Sequence, residues 1–432
     1  MKIQNVKGGY DFLPKEQRVR NYIVDTLRKV FEEYGYNSIE TPILCYYDIL
    51  SDKYDEKSDI LKEIYQLSDQ GERKLGLRYD LTVPFAKFIA LNKNVLNMPF
   101  KRYEINKVFR DGPVKLGRDR EFTQCDVDVV GLEGQFIEAE LMTLYIEGFK
   151  RLGIDVFIKY NSRKFMNGIL IESGLDESKI SLATTIIDKM NKMSKEEFKK
   201  ELLDIGIKEN EYNFIIDNFS LSLADLTKKY SNSNNESLVN GLNELNSLND
   251  YFKKLNITED CLFDPTLARG QNYYTGNVFE VYDKQKRLTC SLGGGGRYDN
   301  IITNFINDGN LYPTVGISFG LSPIYEILKN EPMFNDKSNI TIYIIPMNTE
   351  VECLSLANML RNLGINVEIE MKRKKVGKAL DYANREKIPY VIVLGEDEIK
   401  NNRFVLKDML NGNDTEIKIG DISKVSEVIN ND

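Results

Sequence analysis

The sequence predicts an α+β fold with an antiparallel strand pair near its centre, a helical insertion behind it, and a small α/β domain at the end. Three observations carry this. Residues 101–130 read as two strands around a short basic loop, residues 162–256 shift to helical periodicity rich in Lys, Glu, Ser, Asn and Leu, and residues beyond 338 alternate strand and helix runs. At 432 residues the chain is long enough for two or three domains with a large core.

The first element is a helix over residues 17–34, where Tyr22, Ile23, Leu27, Val30 and Phe31 recur at helical spacing. Residues 35–42 then read as a turn and a strand closing on Pro42. In Leu77-Arg78-Tyr79-Asp80-Leu81-Thr82, Asp80 and Thr82 share a face if the run is extended. Asp80 also reads as a turn residue or helix cap before Leu81-Thr82-Val83-Pro84.

In the strand pair, Val108-Phe109-Arg110 ends the first strand and Asp111-Gly112-Pro113 turns the chain. Phe122, Gln124, Asp126 and Asp128 follow with the period of two that puts them on one strand face. Two acids and an amide in a row make a poor core, since buried polar groups need partners. A polar pocket suits them better than a surface hairpin with scattered charges.

The core resumes over residues 257–329. It holds Leu267-Ala268-Arg269-Gly270-Gln271-Asn272-Tyr273-Tyr274-Thr275-Gly276 and then Ser291-Leu292-Gly293-Gly294-Gly295-Gly296-Arg297-Tyr298-Asp299. Four glycines after a strand let a ligand approach the backbone closely, or they form a flexible hairpin tip. A linker over 330–338 precedes the last domain, which reads as strand 340–346, helix 350–363, strand 366–370, helix 376–385 and strand 390–394.

Composition limits the function. Hydrophobic content of 42% and charged content of 29% suit a soluble globular protein. No apolar run reaches the length of a membrane span and the first residues lack a secretory signal, so the cytoplasm is the expected compartment. Cys45, Cys125, Cys261, Cys290 and Cys353 are scattered without a Cys-x-x-Cys pair and read as reduced thiols, with no metal site expected. The net charge of −8 argues against bulk electrostatic coating of nucleic acid and leaves local basic surfaces. Candidates are Lys115, Arg118 and Arg120 in the hairpin loop and the run Lys372-Arg373-Lys374-Lys375, which also reads as a solvated helix start. Histidine is absent, which excludes an imidazole base and a histidine-ligated metal.

Phe109-Arg110, the variable loop, and the stretch from Arg118 to Phe122 fit the second signature of class II aminoacyl-tRNA synthetases. The blocks at 267–280 and 291–299 resemble the paired motifs peculiar to histidyl-tRNA synthetases, residues 77–82 resemble the segment that reads the amino acid, and 17–42 resembles the first class II signature. The resemblance covers nearly the whole chain. It implies a class II core, an antiparallel sheet flanked by helices, built from residues 1–161 and 257–329, with the helical insertion 162–256 closing over the acceptor stem and an anticodon-binding domain at 338–432.

The implied activity is that of a histidine–tRNA ligase, which forms histidyl-adenylate from L-histidine and ATP and transfers histidine to tRNA(His). The resemblance further implies a homodimer, Mg²⁺ on the β- and γ-phosphates, and no membrane partner. Arg110 and Arg269 would be catalytic, gripping the α-phosphate from two sides, and Arg118 and Phe122 would join them in binding ATP, Phe122 by stacking on adenine. Asp80, Thr82, Gln124, Asp128, Tyr273 and Tyr274 would bind histidine, the first three toward its α-ammonium and Asp128 with Tyr274 toward the imidazole.

Two departures from the family pattern stand out. Pro323 occupies the place where the third class II signature carries an arginine for the γ-phosphate, and Gly270-Gln271-Asn272 replaces the usual Gly-Leu-Asp. The principal alternative is a non-catalytic paralogue resembling the regulatory subunit of ATP phosphoribosyltransferase in histidine biosynthesis. A pure RNA-binding adaptor would leave the pocket unexplained.

Overall fold

The structure, a computed structural model, describes residues 3–51, 59–190, 193–269, 273–335, 338–372 and 374–431. The chain divides into two compact units, residues 1–329 and 330–432.

The first unit is built on an eight-stranded sheet. In spatial order its strands are Asn37–Ser38, Phe100–Phe109, Glu121–Val130, Thr314–Gly320, Gly293–Arg297, Asn277–Asp283, Val156–Ser162 and Cys261–Phe263. The six central strands are antiparallel, as expected, but each edge strand joins its neighbour in parallel. Parallel neighbours need a long crossover, and the chain supplies one at each edge, through the segment after Ser38 and through the helices after Ser162.

Alternation along the central strands separates a dry face from a polar one. Cys125, Val127 and Val129 point to the dry side and are fully or almost fully buried. There Phe319 meets Phe31, Tyr145 and Phe149 at ring distances of 5.6, 4.7 and 5.1 Å, from the helices Pro14–Glu33 and Phe136–Arg151. The first helix starts earlier than its apolar spacing suggests, because Pro14 suits a first helical position. It buries Val19, Ile23, Leu27, Val30 and Phe31, while Tyr22 is only half-buried.

On the polar side, Asp128, Asp126 and Gln124 sit directly opposite Arg102, Glu104 and Asn106 on one neighbour and Gly316, Ser318 and Gly320 on the other. The glycine run is no hairpin tip: it forms the strand Gly293–Arg297 in the middle of the sheet.

Beyond the strand Val156–Ser162, the Ser162 side chain caps the helix Arg163–Glu172, and among the described residues five further α-helices follow up to Glu236–Lys254. A small separate sheet pairs Leu44–Tyr46 with Lys74–Leu77, and Lys74–Leu77 with Gln66–Ser68. It leaves Leu44, Tyr46 and Leu67 exposed.

The second unit holds a five-stranded sheet in the order Val367–Ile369, Ile342–Pro346, Tyr390–Leu394, Arg403–Asp408 and Asp414–Lys418. The first three strands are parallel, joined by the helices Glu350–Asn362 and Val376–Arg385 as the alternating pattern predicts. The last two add an antiparallel hairpin that the sequence reading passed over. The run before helix Val376–Arg385 behaves as a helix approach, with Lys374 paired to Glu370 at 2.9 Å; Arg373 lies outside the described residues. Within the expected linker, Pro332–Asn335 forms one short helix, and residues 336–337 lie outside the described ones. Among the described residues no helix is long and apolar enough to cross a membrane.

Candidate active site

The polar face opens into a cavity of about 110 Å³ lined by Asp80, Thr82, Gln124, Asp126, Asp128, Tyr273, Tyr274 and Ser318, with glycines along one wall. All six residues expected to bind the amino acid therefore line one space. Asp80 and Thr82 reach it from a turn and a helix start, not from an extended run. Thr82 opens the helix Thr82–Asn92, and Asp80 Oδ1 accepts the Val83 N–H at 3.0 Å. Asp80 thus satisfies the helix end with one oxygen, while its buried Oδ2 has no hydrogen-bond partner among the described residues.

Gln124 repeats the arrangement. Its Nε2 donates to Asp126 Oδ1 at 3.3 Å and Ser318 Oγ at 3.2 Å, leaving the buried Oε1 without a donor. Among the described residues these are two buried acceptors without donors beside further carboxylates, an arrangement whose chemistry suits a hydrogen-bond donor of positive charge.

Asp128 is anchored from within the protein. Arg102 Nη2 lies 2.6 Å from Oδ2, Tyr298 Oη donates to Oδ1, and the Arg102 guanidinium, itself fully buried, rests 4.5 Å from the Phe85 ring centre. Burial pushes the Asp128 carboxyl above its ordinary range, against the pull of Arg102 and the Tyr298 hydrogen bond. Burial likewise lifts Asp126, with Arg102 opposing and Asp128 adding to the rise. Gly316 is required here, since a Cβ would fall 1.8 Å from Asp128 Oδ1. Tyr274 lines the same cavity with its ring 4.7 Å from that of Tyr273, and burial holds its hydroxyl protonated by raising it above the usual value.

A second cavity, about 520 Å³, is lined by Tyr79, Arg110, Arg118, Phe122, Lys159, Asp264, Arg269 and Glu280 among others. That is the size of a small-molecule cleft. Arg110 and Arg269 line both cavities. Arg110 Nε donates to the Tyr79 carbonyl at 3.2 Å, with its guanidinium 4.2 Å from the Tyr79 ring centre and 4.9 Å from that of Phe122. Arg269 Nη1 donates to the Phe279 carbonyl at 2.9 Å, and the guanidinium lies 5.6 Å from the Tyr274 ring centre. It passes directly over Gly294, where a Cβ would stand 1.5 Å from Nη1.

Neither Arg110 nor Arg269 forms an ion pair among the described residues. By contrast, Arg118 meets Glu63 at 3.4 Å and Lys159 meets Asp264 at 2.7 Å. Two guanidinium groups held by carbonyls and ring faces, without carboxylates, are poised for anions arriving from both cavities.

Pro323 is buried in the first turn of the helix Leu321–Leu328 beside Gly117 and Gly320, and brings no charge to the cavity. The expected departure at Gly270-Gln271-Asn272 lies outside the described residues. Sequence reasoning missed Arg102, Ser318 and Lys159, and quoted Tyr298 without a role. For Arg102 a signal existed, since Arg102, Glu104 and Asn106 alternate as the acids opposite do. All five cysteines are free, and no cluster of three or more potential metal ligands occurs among the described residues.

Comparison with known proteins agrees with this geometry. Residues 8–324 match the family model for histidyl-tRNA synthetase and residues 341–429 that for an anticodon binding domain. The chain is 45% identical over 429 residues to histidine–tRNA ligase 1 of Bacillus cereus, covering 98% of this chain and 99% of that one. It is 42% identical over 420 residues to histidine–tRNA ligase 2 of Shouchella clausii, covering 95% and 96%. The crystal structure of a histidyl-tRNA synthetase from a Nostoc species superposes with a TM-score of 0.86 at 29% identity, over 99% of this chain and 100% of that one. A Bacillus halodurans structure described as an ATP phosphoribosyltransferase regulatory subunit/histidyl-tRNA synthetase shares the fold, with a TM-score of 0.75 at 22% identity over 91% and 98% of the two chains. The chain belongs to the histidyl-tRNA synthetase family.

Proposed function

We propose that this protein is a histidine–tRNA ligase, which activates L-histidine with ATP to histidyl-adenylate and transfers it to tRNA(His). The observation that carries this is the pair of arginines without ion pairs, Arg110 and Arg269, on the wall shared by an acidic amino-acid-sized cavity and a larger one. At that wall a substrate carboxylate and an α-phosphate would meet.

The carboxylate is itself the nucleophile, so no side-chain base is required, in keeping with a chain that has no histidine. Arg110 and Arg269 align the two anions and neutralise the charge that grows on the α-phosphate. Asp80 Oδ2 and Gln124 Oε1 accept from the α-ammonium, with Thr82 beside them. A neutral imidazole offers one donor and one acceptor; Asp128, fixed by Arg102 and Tyr298, and the Tyr274 hydroxyl, flanked by Tyr273, answer them. Arg118 and the ring of Phe122, both on the wall of the larger cavity, serve the nucleotide.

Mg²⁺ fits as a companion of ATP. Asp264 and Glu280 line the larger cavity but are engaged by Lys159 and Tyr282, so phosphate oxygens and water would supply most of its ligands, as this ion prefers. When bound it offsets the charge of the β- and γ-phosphates.

The C-terminal unit would read the anticodon, and the cytoplasm is where such an enzyme meets its tRNA. A homodimer is supported by the apolar residues Leu44, Tyr46 and Leu67, exposed on the small sheet beside the first signature. Sedimentation of Tyr46→Glu should then give a monomer where the parent protein is a dimer. A regulator that only senses histidine has no use for the larger cavity or for an anticodon-binding domain. The decisive assay is histidine-dependent exchange of pyrophosphate into ATP. Tight histidine binding without exchange would refute the proposal.

A further inference from the structure

The larger cavity contains a cation to which the foregoing mechanism gives no task. Four basic side chains line it: Arg110 and Arg269 at the junction, Arg118 on the hairpin loop, and Lys159. Lys159 lines only the larger cavity and stands on the strand Val156–Ser162, so a rigid sheet positions it. Its register partner on the next strand is Glu280, the neighbour of Phe279, whose carbonyl anchors Arg269. Lys159 therefore stands on the strand next to the one that anchors Arg269, one residue out of register with Phe279 and on the side away from the amino-acid cavity. A phosphate chain that begins at the junction and runs outward would pass over it.

We propose that Lys159 binds the β- and γ-phosphates of ATP and supplies outer-phosphate charge that Pro323 does not; the proposal rests on the reading of this cavity as an ATP site. Lys159 Nζ lies 2.7 Å from Asp264 Oδ2, with both side chains partly exposed. Such a pair is weak, and a flexible lysine stem can turn its ammonium from one carboxylate to a phosphate. Asp264 does not then collapse, because Oδ1 also accepts from the Thr266 N–H at 3.0 Å and hydroxyl at 2.6 Å, bonds that shape the turn leading to Arg269. Burial pushes the Asp264 carboxyl up, but Lys159 and Thr266 together hold it below its ordinary value. The competing role for Lys159 is purely structural, as a prop for Asp264 and that turn.

The full-length protein distinguishes the two. Lys159→Met keeps the stem and removes the charge. It should raise the KM for ATP in pyrophosphate exchange roughly ten- to a hundredfold, the scale of one charge-assisted hydrogen bond, and leave the KM for histidine unchanged. Lys159→Arg should recover most of the loss. Titration with AMP and with a non-hydrolysable ATP analogue isolates the outer phosphates: Lys159→Met should weaken the analogue and spare AMP. Equal weakening of both ligands would assign Lys159 the structural role, and unchanged affinity for the analogue would give it none; either outcome overturns the proposal. Failure of the parent protein to exchange pyrophosphate would instead strike the ligase reading, while the two titrations would still decide the question of Lys159.

Discussion

Gly294→Ala should disable adenylate formation although Gly294 has no side chain to contribute. A Cβ there lies 1.5 Å from Arg269 Nη1, 2.7 Å from its Cζ and 2.9 Å from the Phe279 carbonyl oxygen. Non-bonded atoms settle at about 3.5–4 Å, so the guanidinium must leave by roughly 2 Å. In leaving it loses a charge-assisted hydrogen bond to the Phe279 carbonyl, about 1.5–3 kcal/mol, and the Tyr274 ring face, about 0.5–2 kcal/mol. Those contacts hold the guanidinium at the cavity junction. Losing them together corresponds to about 30-fold to a few thousandfold in the occupancy of that pose, which brackets the ~10²- to 10³-fold in rate typical of a lost electrostatic stabiliser.

Histidine-dependent pyrophosphate exchange measures this loss, with thermal melts as the control for folding. Arg269→Ala should match it, and the double variant should be no slower than Arg269→Ala alone, because residues acting as a unit are not additive. The double variant should also melt higher than Gly294→Ala, since only the contact with the Phe279 carbonyl remains. A folded Gly294→Ala protein with a rate close to wild type, or losses that multiply in the double variant, would refute the placement of Arg269 over Gly294.

Asp128→Ala should weaken histidine far more than ATP in separate titrations, and should cost about 3 kcal/mol of stability by taking from the buried Arg102 its close ion pair, since its remaining pair, with Glu104, is 4.0 Å long. Equal loss for both ligands would mean that the amino-acid pocket lies elsewhere. Deleting residues from Ser338 onward should spare pyrophosphate exchange and abolish charging of tRNA, once the truncated protein is seen to fold; normal charging would remove the anticodon role from the second unit. Because the chain contains no histidine, histidine limitation should leave its translation rate unchanged while histidine-containing proteins slow. A gene with several surface Asn codons changed to His should lose that advantage, and equal accumulation of the two versions under starvation would end the idea.

The hairpin was legible because a period of two survives in the sequence. Phe122, Gln124, Asp126 and Asp128 share a face since no bulge or proline interrupts the alternation. The glycine run was ambiguous for the opposite reason: residues without side chains carry no period, and only the tertiary structure explains why the strand is bare, since a Cβ would meet the Ser318 carbonyl at 2.4 Å from Gly293, the Arg269 guanidinium at 1.5 Å from Gly294 and the Gly316 carbonyl at 2.0 Å from Gly295. Asp80 and Thr82 looked extended because two-residue spacing suits a strand, yet Pro84 fits the first turn of a helix, and there the cap reading of Asp80 and its cavity-facing oxygen hold together. The hairpin of Arg403–Asp408 and Asp414–Lys418 was overlooked because its strands are charged at their outward positions and bury little more than Phe404, Leu406 and Ile417.

What no one-dimensional pattern records is which charges are already neutralised. In the sequence Arg110, Arg118, Lys159 and Arg269 are four basic residues of similar standing. In the structure Glu63 and Asp264 occupy two of them, while among the described residues the other two meet carbonyls and aromatic faces without an ion pair. A cation that is already paired must exchange its partner to bind an anion, whereas an unpaired one in a partly dry cleft is held ready at no further reorganisation. On the reading proposed here, a division of labour along the ATP triphosphate follows from that difference: the unpaired arginines would serve the α-phosphate, where charge grows during the reaction, and the paired lysine would serve the outer phosphates, whose charge is present throughout.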